Sequence, residues 1–220
     1  MSDPFTIPLY WPQQSPIDLK NAITAQLPTP TFDYRNPLVG EFEDHNLKIK
    51  SGIATLTYDG QTCPLKRLHL HTPAEHLVAG VRNEIELHLV HDLPQPRGGS
   101  LSIVVGIFLE EVTNKNVRTH SFFKDLAAAY SAAASAETSI DKKRAREFSF
   151  DPGGLKPKDK DFFRYEGALT TEDFEEVVSW IVYRQPLPVK KEYLDQIKAN
   201  TAHDFRKIKQ HARRFILKNF

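Results

Sequence analysis

The stretch Leu68-His69-Leu70-His71-Thr72-Pro73-Ala74-Glu75-His76, with the run Glu84-Ile85-Glu86-Leu87-His88-Leu89-Val90-His91 that follows it, decides how the chain is read. His69 and His71 stand two apart among leucines. Side chains on a β-strand alternate between its faces, so both imidazoles fall on one face and Leu68 and Leu70 on the other. In the second run Glu84, Glu86, His88 and Val90 share one face, and Ile85, Leu87, Leu89 and His91 share the other. Two such strands, joined by a short link through Val81-Arg82-Asn83, can lie side by side, and His69, His71 and His88 then converge on one point. Three neutral imidazoles with one open position are the ligand set of a catalytic zinc site. Taken alone, H-x-H on a strand fits a half-buried histidine pair as well. The third histidine on a neighbouring strand puts a metal site level with that structural reading. A ligating histidine usually gives its other N–H to a carboxylate or carbonyl, and Glu86 is placed to serve His88 in that way.

Composition bounds the rest. The 220 residues are enough for one domain with a real core, and 40% apolar with 26% charged residues is ordinary for a globular chain. A net charge of +1 argues against a bulk electrostatic partner such as nucleic acid. No run of about 18 apolar residues is present, so no membrane-spanning helix and no membrane partner are expected. The start, Met1-Ser2-Asp3-Pro4-Phe5, has neither a basic nor an apolar signal region. Cys63 is the only cysteine, so no intrachain disulfide is possible. Together these favour a reducing, cytoplasmic setting, or a secreted protein whose leader has been trimmed. Oligomeric state is not legible.

Along the chain, residues up to about Thr31 are Pro-rich and expected to run extended over the surface. Leu47 to Ile49, Ile53 to Tyr58 and Leu65 to His71 read as strands, with Asp59-Gly60 as a hairpin turn between the last two. Leu101 to Leu109 is a continuous apolar run, as in a strand buried on both faces. Phe122 to Ala136 is Ala-rich and reads as a helix. It leads into an exposed charged segment, Asp141 to Glu147, and Asp151 to Asp161 reads as loop. Val177 to Tyr183 reads as a strand, and Lys190 to Ala199 as a short helix. Strands outnumber helices, so the class is mainly β (α+β), a single domain over residues 1–220.

Several motifs, in order, resemble the α-carbonic anhydrase family. Its zinc strands read F-H-F-H-x-x-S-E-H and E-L-H-L-V-H, against Leu68 to His76 and Glu86 to His91 here. Gln14-Ser15-Pro16-Ile17-Asp18-Leu19 is similar to its Q-S-P-I-D-L, and Asp44-His45-Asn46 falls at its G-H pair. Gly106-Ile107-Phe108-Leu109 is similar to G-I-F-L. Phe150-Asp151-Pro152 with Leu155-Lys156-Pro157 is similar to F-D-P-x-x-L-L-P. Tyr165-Glu166-Gly167-Ala168-Leu169-Thr170-Thr171 is similar to Y-x-G-S-L-T-T, and Trp180-Ile181-Val182 to W-I-V. The matches run from about Gln14 to Pro188.

The resemblance implies a large twisted, mostly antiparallel central sheet with a few short surface helices, and Zn2+ held by His69, His71 and His88. It implies reversible hydration of CO2 to bicarbonate and a proton by zinc-bound hydroxide. Thr170 would orient the reacting group by giving its one hydroxyl proton to Glu75. Val90, Val104, Leu169, Thr171, Val178 and Trp180 would line the substrate side, although sequence alone reads the apolar ones as core. His45 would relay the proton to solvent. His76 and His91 read as structural.

Three departures stand out. Arg67 falls where the family has a Gln whose carbonyl accepts the first histidine's N–H, and arginine has no acceptor, so His69 must find another partner or tilt. Glu172-Asp173-Phe174 replaces Pro-Pro after Thr171, so that loop is expected to change shape. The cysteines common in secreted members are absent. The basic stretch after Phe205 reads most simply as a solvated face. Intact ligands favour a CO2-hydrating enzyme. The alternatives are a carbonic-anhydrase-related binding or interaction protein with weak or no activity, which Arg67 and the lost Pro-Pro mildly favour, and another zinc hydrolase such as an esterase.

Overall fold

The computed structural model describes residues 12–43, 46–93, 101–113, 120–136, 138, 140, 147–171, 173–201 and 205–220. The strands, in chain order, begin with β1 (Asp18–Leu19), β2 (Ile23–Thr24), β3 (Thr31–Tyr34), β4 (Leu38–Glu43), β5 (Asn46–Ser51) and β6 (Ala54–Tyr58). Then come β7 (Gln61–His71), β8 (Leu77–Val78), β9 (Val81–Arg82), β10 (Ile85–Leu93) and β11 (Leu101–Val112). The helix α1 (Ser121–Ser135) precedes β12 (Glu147–Phe150), β13 (Phe162–Gly167), β14 (Val178–Tyr183) and β15 (Leu187–Lys190), and α2 (Lys191–Asn200) precedes β16 (Leu217–Lys218).

Among the described residues one 13-stranded sheet runs β12-β4-β5-β7-β10-β11-β14-β13-β16-β2, with β15 beside β11 and with β3 and β6 joined through β7. Its pairings are mostly antiparallel, but β14 and β15 run parallel to β11, and β2 parallel to β16. The expected hairpin forms at Asp59-Gly60, where both residues have positive φ (48° and 75°), as a two-residue hairpin turn of the primed type requires. The link between β7 and β10 is itself structured: β8 and β9 form a small second sheet with β1.

The alternation read from sequence divides the core in two. Leu68 and Leu70 of β7, Ile85, Leu87 and Leu89 of β10, and Ile103, Val105 and Ile107 of β11 face one side. There they pack with Phe122, Phe123 and Leu126 of α1 and with Leu194 and Ile197 of α2. Val90, Val104, Phe108, Trp180 and Val182 lie in a separate cluster on the other side. Each fully buried side chain of this size contributes roughly 1.5–3 kcal/mol by leaving water. The helices cover the first face, so the second face is left to carry polar groups. Of the run Leu101 to Leu109 expected to be buried on both faces, Ser102 to Leu109 is buried throughout and Leu101 is exposed. His91 falls on the helix-covered face. Its Nε2 is 2.6 Å from the Tyr34 hydroxyl and its Nδ1 3.2 Å from the Ile103 carbonyl. Burial pushes its pKa down to about 4. No helix among the described residues is long and apolar enough to cross a membrane.

Candidate metal centre

The register of β7 against β10 sets His88 opposite His69 and Glu86 opposite His71. Ring centroids lie 4.9 Å apart for His69 and His71, 5.2 Å for His69 and His88, and 4.7 Å for His71 and His88. One nitrogen from each of the three rings can be chosen so that all lie within 4.8 Å of one another. All three histidines are buried, and His88 Nδ1 approaches His69 Nε2 to 3.3 Å. Burial, then the neighbouring His88 and His71, hold the His69 pKa well below the ordinary histidine value. A neutral imidazole turns a lone pair toward its neighbours, and facing lone pairs are relieved by a cation. This donor set, buried and nitrogen-only, fits zinc.

Glu86 ties the back of the centre together. Its Oε1 lies 2.7 Å from His76 Nδ1 and 3.0 Å from His88 Nε2, the latter close in distance but not aligned as a hydrogen bond. Its Oε2 accepts the backbone N–H groups of Glu75 (2.9 Å) and His76 (2.8 Å). Burial alone would raise this carboxyl's pKa, but His76 and His88 outweigh it and hold the group well below the usual carboxylate range. Gly106 of β11 stands opposite His88, where a Cβ would come within 2.9 Å of Glu86 Oε1, so the missing side chain makes room for the carboxylate. His76 continues the chain of contacts: its Nε2 is 2.6 Å from the Tyr165 hydroxyl, which donates to Ser15 Oγ at 3.0 Å. His76, Glu86 and His88 also stand close enough to hold an ion. Both His76 ring nitrogens already have hydrogen-bond partners, so that group fits a metal poorly. Ser15 and Tyr165 fall inside motifs the sequence reading quoted, yet no spacing rule marks two residues 150 apart as partners.

Glu75 is fully buried. Its Oε1 accepts the backbone N–H of Arg206 at 2.7 Å. Its Oε2 lies 3.4 Å from His71 Nε2 and 4.0 Å from His88 Nδ1, with no hydrogen bond among the described residues. The expected bond from Thr170 to Glu75 is therefore not made here, although both side chains are buried beside the histidines. His45 lies outside the described residues.

Arg67, His69, His88, Val90, Val104, Leu169, Thr170, Thr171 and Trp180 line one small open pocket. It has about 210 Å3 of free space out to its mouth, of which only about 10 Å3 is wide enough for the centre of a water molecule. Val178 is buried in the same cluster but does not line it. Trp180 donates its indole N–H to the Ala168 carbonyl at 3.1 Å and sets its ring edge-on to His88, 4.9 Å between centroids. As the Gln-to-Arg departure implied, buried His69 Nδ1 has no acceptor among the described residues.

The loop after Thr171 does take an unusual shape: Asp173 and Phe174 both have positive φ (72° and 44°), which is rare for a bulky side chain. Phe174 lies under the Arg206 guanidinium, 3.7 Å from its ring centre. The basic tail is not the plain solvated face expected. Arg206 donates to the Ser15 carbonyl, Arg214 to the carbonyls of Gln14 and Glu166, and His211 contacts that of Asp18. Together these side chains engage backbone oxygens of Gln14, Ser15 and Asp18 near the start of the chain and of Glu166 in β13.

Comparison with known proteins agrees with this geometry. Residues 10–219 match the family model of the eukaryotic-type carbonic anhydrases, and the chain belongs to the carbonic anhydrase family. It is 29% identical over 198 residues to alpha carbonic anhydrase 7 of Arabidopsis thaliana, covering 87% of this chain and 66% of that protein. It is 28% identical over 189 residues to a carbonic anhydrase of Neisseria gonorrhoeae, covering 84% and 68%. The chain thus spans about two thirds of the length of these relatives. The solved α-carbonic anhydrase of Photobacterium profundum superposes with a TM-score of 0.74 at 26% identity, covering 93% of this chain and 88% of that one. Dioscorin, solved with ascorbate, shares the fold with a TM-score of 0.77 at 24% identity, covering 94% and 85%.

Proposed function

We propose that this protein catalyses the zinc-dependent, reversible hydration of CO2 to bicarbonate and a proton. The observation that carries the reading is the buried convergence of His69, His71 and His88 beside a pocket with an apolar wall, in a chain of the carbonic anhydrase family. Zinc, when held by those three histidines, supplies the Lewis acidity that makes water a nucleophile at neutral pH.

The chain's own residues do the rest. Glu86 draws the His88 Nε2 proton to the back of the ring and leaves the Nδ1 lone pair turned toward His69, which orients His88 as a ligand. Val90, Val104, Leu169 and Trp180 exclude water from the side where CO2, a small apolar molecule, would sit, and Val178 packs behind them. For Thr170 to accept from the reacting oxygen, its single proton must pass to Glu75, a bond not made in this structure. Glu75 Oε2, buried with its acceptor capacity unused among the described residues, supports that role. Thr171 offers a second hydroxyl on the same wall. His45 carries the released proton outward.

Zinc content by elemental analysis and CO2 hydration by stopped flow test the reading together. One zinc per chain with hydration confirms it; one zinc without hydration overturns it. That second result selects a binding protein built on the same fold, which the unmade Thr170–Glu75 bond and the orphaned His69 Nδ1 favour.

A further inference from the structure

We propose that Phe174 is a positioning residue: its ring, stacked under Arg206, links the loop that carries Thr170 to the buried acid Glu75. That loop is closed on itself. The Leu169 N–H donates to the Glu175 carbonyl at 2.9 Å and the Phe174 N–H to the Thr171 carbonyl at 3.2 Å, so Thr170, Thr171 and Phe174 ride on one small closure. The Gln14 side-chain amide donates to the Phe174 carbonyl at 3.1 Å and to Glu176 Oε1 at 2.9 Å. Asp173 and Phe174 take positive φ, a backbone that a bulky side chain adopts only where its surroundings hold it. Phe174 is 37% exposed, so burial in the core is not what fixes its ring. The Arg206 guanidinium lies over that ring instead, 3.7 Å from its centre.

Arg206 is the other half of the link. Its backbone N–H donates to Glu75 Oε1 at 2.7 Å, and its Nη1 donates to the Ser15 carbonyl at 2.8 Å. One residue therefore meets the threonine loop through its side chain and the buried acid through its backbone. With Oε1 held by that N–H, Glu75 keeps Oε2 turned toward His71, 3.4 Å from its Nε2. A cation gains from an aromatic ring only while it sits over the face, so the stack restrains position more narrowly than apolar cover would. Glu172-Asp173-Phe174 has no proline to stiffen it, and the stack supplies a restraint in its place. If the hydration reading holds, losing the stack lowers kcat, because Thr170 and Glu75 must act together. That consequence rests on the reading above, whereas the coupling of Phe174 to the Arg206 amide does not.

The test compares Phe174→Ala, Phe174→Leu and Phe174→Tyr in the full chain. All three keep an L side chain at the same positive φ, so the backbone strain is shared and the ring is what changes. The first readout is hydrogen exchange of the Arg206 backbone N–H, followed by NMR on the zinc-free chain. Exchange is expected to speed up by about 3- to 10-fold in the Ala and Leu variants and to stay at the wild-type rate in the Tyr variant, which keeps the stack. The second readout uses the zinc-loaded chain. There Phe174→Ala should keep its metal and its KM and lose kcat, with Phe174→Tyr restoring it, because no ligand is touched and only orientation is lost. Dispersed spectra establish that each variant is folded, and Phe174→Leu decides alone if Phe174→Ala is not. An Arg206 amide that exchanges at the wild-type rate in a folded Ala or Leu variant would overturn the proposal, as would a Tyr variant that exchanges as fast as they do. Faster exchange with kcat unchanged would overturn the positioning role. A zinc-loaded wild type that does not hydrate CO2 sinks the enzyme reading instead, and the exchange comparison on the zinc-free chain still decides the link.

Discussion

Glu86 Oε1 stands 3.0 Å from His88 Nε2, on the far side of a ring whose Nδ1 faces His69 at 3.3 Å. Removing that carboxylate leaves three nitrogen ligands in place but frees the ring to turn and choose its tautomer. Glu86→Ala is expected to lower zinc affinity by roughly 10–100-fold, read by competition with a chelator of known affinity. It also strips acceptors from His76 and from two backbone N–H groups, so thermal stability falls with it. Unchanged zinc affinity would remove Glu86 from its assigned role.

His71→Ala should abolish stoichiometric zinc binding and CO2 hydration, because two imidazoles hold the metal poorly. A variant that purifies with one zinc per chain would mean that the ligand set has been misread. Circular dichroism separates loss of metal from loss of fold.

His91 gives a pH prediction away from the centre. It is buried and held at a pKa of about 4, against about 6.5 for an exposed histidine. Between those values the unfolded chain takes up a proton that the folded one refuses. The stability it protects is therefore whole above pH 6.5 and is lost as pH falls from about 6.5 to about 4, by roughly 3 kcal/mol in total. His91→Gln removes the titrating group. The stability gap between wild type and variant, from urea unfolding at pH 7 and at pH 4.5, should shift in the variant's favour at the lower pH. A gap that does not change with pH would show that His91 takes up its proton equally in both states.

The proton relay assigned to His45 is a step separate from attack on CO2. His45→Ala should lower kcat at low buffer concentration while leaving kcat/KM nearly unchanged, and added imidazole should restore turnover. If kcat holds without rescue, another group carries the proton or hydration itself is slow. Arg67, which offers His69 Nδ1 no acceptor where none is found among the described residues, is then the first suspect.

What the residues disclosed in advance follows the reach of each physical signal. The two-residue period of β7 and β10 is local, so the faces of His69, His71, His88 and Val90 could be read directly, as could the turn at Asp59-Gly60 and the buried run of β11. Short strands such as β3, β12 and β15 carry too few alternations to stand out, and their pairing is set by partners far along the chain. Motif resemblance supplied Glu75, Thr170 and the bond expected between them, but that bond is not made among the described residues, where Glu75 Oε2 has no hydrogen-bond partner. The tail misled for a related reason. Arg206 and Arg214 look like surface charge until the carbonyls of Gln14 and Ser15 arrive beside them.

That last arrangement bears on the order in which the molecule is completed. Glu75 Oε1 takes its hydrogen bond from residue 206, and the Gln14 carbonyl takes one from residue 214, across separations of 131 and 200 residues. On a chain made from its N-terminus, Glu75 Oε1 stays without this partner until residue 206 has been made and is free to return. Such distant closures are slow to form. The segment carrying residues 206 to 214 thus acts as a clasp, and the centre it fastens should not become resistant to proteolysis in a nascent chain until that segment has emerged.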